Sequence, residues 1–124
     1  MYVHVNPNPY GNYVDDCVIR AISIATDRSW DNTYIHVCLQ GYIMKNMPSV
    51  GSVWGAYLSS IGFTHDQIHI DCNNCYTVRD FCYDNPEGIF ILVTGSHAIA
   101  VIFGDYYDTW DSGDEVPLSA WRRE

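Results

Sequence analysis

Through the first half of the chain the apolar positions recur at helical spacing, and from Gly88 onward they run together in blocks of strand length. Val18, Ile22 and Ala25 form one stripe with Ile19 beside it. This predicts a helix opening around Cys17, with Asp15 or Asp16 available to cap it. Thr26-Asp27-Arg28 makes a turn, and Ser29 caps a second helix from about Trp30 to Lys45. Its apolar face of Trp30, Tyr34, Val37, Cys38, Gly41 and Ile43-Met44 is expected to pack. Met47-Pro48 ends that element. A third helix follows from Val53 to Ile61, with Trp54, Tyr57, Leu58 and Ile61 on one face and Gly62 at the C-terminal glycine position. Thr77-Val78-Arg79-Asp80 opens a short fourth helix through Cys82 or Tyr83, which Asn85-Pro86-Glu87-Gly88 stops.

The strands come late. Ile89 to Thr94 is a continuous run rich in branched residues, the pattern of a strand buried on both faces. Gly95-Ser96 breaks it, a second strand starts at His97, and Gly104-Asp105 turns the chain into an antiparallel third beginning at Tyr106. The tail from Val116 to Trp121, with Pro117 near its start, reads as an edge strand. Alternation in Gln67-Ile68-His69-Ile70-Asp71 gives a short strand or extended link, and the opening Val3 to Val14 reads as a loop after a short strand. Helices first and strands last predict an α+β fold, with N-terminal helices packed on a small C-terminal antiparallel sheet in one domain over 1–124.

Composition narrows the partners. The chain is 48% hydrophobic, which argues against disorder, and its net charge of −9 leaves no cationic cluster beyond Arg122-Arg123, which argues against phosphate-backbone binding. No apolar stretch approaches the roughly 20 residues of a membrane span, and the start lacks the basic and apolar segments of a secretory signal. These features lead us to expect a cytoplasmic product with neither nucleic acid nor membrane as partner. Five cysteines cannot close a disulfide framework, so at least one is unpaired. Cys38 reads as a small buried hydrophobe. His69, Cys72, Cys75 and Cys82, with His65 nearby, have metal-capable spacing, but only one C-x-x-C pair is present where a zinc ribbon has two, so turn and core cysteines are the better reading.

The candidate chemistry centres on Cys17. A thiol in the first turn of a helix lies near unpaired N–H groups and the positive end of the helix dipole, which favour the thiolate. His97, opening a late strand, supplies a base. Two acids compete to orient it. A turn centred near Gly104 pairs Asp111 across from His97 and puts Asp108 further in, so geometry favours Asp111, with a bulge or a longer turn able to reverse the choice. Asn12, five residues before Cys17, is a candidate oxyanion donor alongside Asn8 and Asn6, and a turn asparagine explains it equally well.

In order and local pattern, D-C-x-x-R-A, then G-S-H-A-I-A-V, then Y-Y-D-T-W-D resembles the papain-like cysteine peptidase superfamily, with small compact phage and gut-bacterial members closest in outline. The likeness covers Asn12 to Ile24 and Gly95 to Asp111, and its Asn-Ser-Trp-like D-T-W segment favours Asp108. It departs where such enzymes carry a glutamine a full turn ahead of the cysteine, because this chain has Gly11 there and Asn12 next. The resemblance implies hydrolysis of a peptide or isopeptide bond by a Cys-His-Asp triad, without a cofactor, in a bacterium or a phage-infected cell. A second reading keeps the scaffold and drops the chemistry. An inert papain-like protein would bind a host protein or a small signalling molecule, as an anti-defence factor does, using some of its ten tyrosines and four tryptophans around the cleft.

Overall fold

The structure, a computed structural model, describes residues 1–68 and 75–123. It is a mixed α+β fold in the order β1 (Tyr2–His4), α1 (Cys17–Thr26), α2 (Trp30–Met44), α3 (Gly51–Ser60), β2 (Phe63–Gln67), α4 (Val78–Asp84), β3 (Ile89–Val93), β4 (Ala98–Ile102), β5 (Asp105–Asp108) and β6 (Ser119–Arg123). Among the described residues, four helices accompany one six-stranded sheet of order β1-β5-β4-β3-β6-β2.

Strand alternation gives the sheet two buried faces. On one, Ile91, Ala98, Ala100 and Trp121 meet Ala21, Ile22 and Ala25 of α1, Val37 of α2, and Trp54, Tyr57 and Leu58 of α3. On the other, Phe90, Leu92, Ile99, Val101, Tyr106 and Ala120 pack under Val78, Phe81 and Cys82 of α4. Small side chains on both partners, Ala21 and Ala25 facing Ala98 and Ala100, let α1 lie directly over β4. That contact brings the start of α1 beside the start of β4.

The sheet is more mixed and more interleaved than the sequence suggests. β1 pairs with β5 in parallel, and the remaining ladders are antiparallel. The tail strand β6 is not an edge. It lies between β3 and β2, with Pro117 just ahead of it where no ladder bond is required. Gln67 ends β2, and His69 to Asn74 lie outside the described residues, as do two of the candidate zinc ligands, His69 and Cys72. Cys75 is exposed, whereas Cys82 is a core residue whose thiol is pushed up to about 11 by burial, an environment that disfavours the thiolate a metal requires. Among the described residues no group of three His, Cys, Asp or Glu is arranged to hold a metal. No helix among them is long and apolar enough to cross a membrane.

The second helix buries the expected face only in part. Val37 and Gly41 are buried as the pattern predicts, together with Thr33, and Trp30 and Cys38 are half-buried. Tyr34, Ile43 and Met44 are exposed, and so are Ile35, Leu39 and Tyr42 on the opposite side. Apolar residues ring this helix, so periodicity alone could not say which stripe the core would take.

Candidate active site

Cys17 is the first helical residue of α1, and Asp16 is its N-cap. Asp16 makes no side-chain cap bond, contrary to the expected role. Its buried carboxylate instead accepts from the Trp30 indole Nε1 at 2.9 Å and forms an ion pair with Arg20, one turn further along α1. The first-turn N–H groups of α1 therefore receive nothing from the Asp16 side chain.

His97 is fixed by a tight turn. Thr94 Oγ1 accepts the N–H groups of Ser96 at 3.3 Å and His97 at 3.0 Å, and the Thr94 N–H returns to the His97 carbonyl at 2.8 Å. The His97 ring and the Ala98 backbone stand beside the Cys17 sulfur, and both act to lower the pKa of its thiol. On its other side, His97 Nε2 lies 2.6 Å from Asp108 Oδ2. Trp110 covers the imidazole at a centroid distance of 5.0 Å.

The acid on the histidine is Asp108, which corrects the preference for Asp111. The hairpin turns through Phe103 and Gly104, with φ of 47° and 81°, rather than through Gly104-Asp105. Positive φ at both central residues is the tight two-residue arrangement, and an aromatic residue in the first of them is uncommon. Moving the turn centre back by half a residue shifts every cross-strand partner by one, giving Ala100↔Tyr107 and Ile102↔Asp105. Asp108 then ends β5 within reach of His97. Asp111 lies past the strand and turns toward α4, where its Oδ1 accepts from Tyr106 Oη at 2.5 Å and both its oxygens accept from Arg79 Nη2 at 3.2 Å.

Asp108 is saturated with partners. Oδ2 accepts from Ser112 Oγ at 2.7 Å as well as from His97, and Oδ1 accepts from the Thr109 N–H at 2.8 Å and lies 3.5 Å from Arg20 Nη2. Burial acts to raise its pKa, but bonds from His97, Ser112 and Thr109 prevail and hold it below the usual carboxylate value. Burial also opposes the imidazolium of His97, yet bonds to Asp108 and Cys17 raise its pKa to about 9. For Cys17, burial favours the neutral thiol. The His97 bond, the Ala98 N–H and the nearby His97 and Arg20 charges outweigh it and lower the thiol below its ordinary value. The thiol and the imidazole are thus displaced in opposite directions, each partly by the other's presence.

Cys17 and His97 line two cavities. The larger, about 700 Å³, is mostly apolar and runs past Val18, Trp30, Trp54 and Val93. The smaller, about 250 Å³, lies toward Tyr13, Arg20 and Trp110. Cys17 and His97 therefore border both cavities. Asn12 lines the larger one, is exposed, donates its backbone N–H to Asn8 Oδ1, and accepts at its carbonyl from Asn6 Nδ2. Asn8 also lines that cavity and is buried, and its Oδ1 is committed to the N–H groups of Tyr10 and Asn12 at 3.0 and 3.3 Å.

Sequence reasoning gave no role to Arg20 or Ser112, and read Asp16 only as a cap and Trp30 only as packing. One signal pointed to Arg20. It lies one turn after Cys17 on an otherwise apolar helix and four residues after an acid, which marks a paired buried cation. Ser112 has no comparable mark. In comparisons with family models, curated proteins and solved structures, the chain matches none of them.

Proposed function

We propose that the protein is a papain-like thiol hydrolase that cleaves a peptide or isopeptide bond. The observation that carries the reading is the convergence of Cys17, His97 and Asp108, with His97 Nε2 held 2.6 Å from Asp108 Oδ2 and both Cys17 and His97 lining two cavities. Cys17 thiolate adds to the carbonyl carbon, and the His97 imidazolium protonates the departing amine, leaving a thioester on Cys17. His97, now neutral, takes a proton from water as the oxygen attacks the thioester, and the carboxylic acid leaves with Cys17 restored. Asp108 holds the ring and steadies its charged form, with Ser112 and the Thr109 N–H orienting the carboxylate.

In this reading the oxyanion is met by the Cys17 N–H and an asparagine amide. Asn8 suits that role better than Asn12, because turn N–H groups hold its carbonyl oxygen and leave its NH₂ as the free end. The apolar cavity holds the larger flank of the substrate, and the exposed rings of Tyr13, Tyr34 and Trp110 grip an extended chain at its mouth. Those same rings favour the second reading, an inert cleft that binds a partner or a small ligand.

The test is a panel of peptide and isopeptide substrates and thiol-directed activity probes, applied to the wild type, Cys17→Ala and His97→Ala. Covalent labelling and turnover are expected in the wild type and lost in both variants. Labelling that persists in Cys17→Ala would rule out the hydrolase. Ligand capture unchanged in Cys17→Ala, with no turnover by the wild type, would establish the binding protein.

A further inference from the structure

We propose that the outer face of α2 is a self-association surface through which two copies of this chain pair antiparallel about a two-fold axis. Ile35, Leu39, Tyr42 and Ile43 lie on that face, Met47 follows just beyond the Lys45 C-cap, and all five are half to about two-thirds exposed, from 50% at Leu39 to 69% at Tyr42. Together they present on the order of 700 Å². This is close to the ~800 Å² each partner gives a standard interface, and it exceeds the ~300–600 Å² of the largest apolar patch on a typical monomer.

Charge identifies the occupant as a second copy. The chain carries a net charge of −9, so most approaches between copies are repulsive, but the patch itself holds no carboxylate. Its only carboxylate and its only Lys or Arg stand at opposite ends, Asp31 in the first turn of α2 and Lys45 at its C-cap. At 100° per residue these two positions lie about 40° apart around the axis, and ~21 Å apart along it. They therefore flank the same side of the stripe. The Lys45 ammonium lies 3.9 Å from the centre of the Tyr42 ring, within the patch. Antiparallel pairing about a two-fold axis sets each Asp31 against the partner copy's Lys45, so the charges match twice while the apolar stripes close on each other. A parallel pairing would set like charges together.

Sedimentation velocity over a micromolar concentration series tests this. The wild type is expected to move from the 14.1 kDa chain toward twice that mass as concentration rises. Leu39→Glu is expected to weaken association about tenfold or more. Asp31→Lys and Lys45→Asp should each weaken it, and the double variant should recover, since it restores both pairs in reversed sense. These residues are exposed, so an unchanged circular dichroism spectrum certifies the fold of each variant. A wild type that stays monomeric throughout would overturn the proposal. So would an unaffected Leu39→Glu, or a double variant no better than either single one.

Discussion

Arg20 and Asp108 show how individual residues set the chemistry of their neighbours. Asp108 is the nearest anion to His97, so Asp108→Asn is expected to bring the His97 pKa down from about 9 toward the ordinary imidazole value. Following the His97 ring protons by NMR checks this, and a titration unchanged in the variant would contradict it. Arg20 pairs with two buried carboxylates, Asp16 and Asp108, and its own side chain is 9% exposed. Arg20→Met leaves both acids without their cation, at a cost of ~3–5 kcal/mol because the anions stay buried. Urea unfolding measures it. A loss below about 1 kcal/mol would mean that solvent already screens the pair.

At the scale of elements, the α2 C-terminus depends on a missing side chain. A Cβ at Gly41 would stand 2.7 Å from the Asn46 carbonyl oxygen, a backbone atom that cannot swing aside. Gly41→Ala should therefore displace the 46–48 link and destabilise the protein by about 1–3 kcal/mol, despite the better helix propensity of alanine. Thermal unfolding that shows stabilisation would contradict this. What was legible in the sequence follows the same physics. The start of α1 at Cys17 and the strands β3 and β4 could be read, because periodicity reports burial directly. The hairpin register could not, because Phe103 reads as strand while it occupies a left-handed position in the turn. The buried face of α2 was hidden because apolar residues lie all around that helix. β6 sits inside the sheet through partners remote in sequence, which no local pattern records.

For the molecule as a whole, the coupled site should leave its mark on stability against pH. His97 has a raised folded pKa, so its stabilisation is complete below the unfolded value of ~6.5 and is lost as pH climbs through about 9. Cys17 has a lowered one, so its contribution is complete above the unfolded thiol value of ~8.5 and is lost as pH falls through the folded value. Between ~6.5 and ~8.5 the two trends oppose each other. Cys17→Ser removes one of them, and its stability is expected to fall more steeply than that of the wild type across that interval. Parallel profiles for the two proteins would show that folding leaves the Cys17 thiol unshifted.

Alkylation of Cys17 by iodoacetamide as a function of pH, read peptide by peptide by mass spectrometry, reaches the centre of this account most directly. Cys17 is expected to react well ahead of Cys38, Cys75 and Cys82 at neutral pH, with a midpoint below that of an ordinary thiol, and His97→Ala is expected to move the midpoint up. A Cys17 that labels no faster than the other cysteines, with the same midpoint in wild type and His97→Ala, would contradict it.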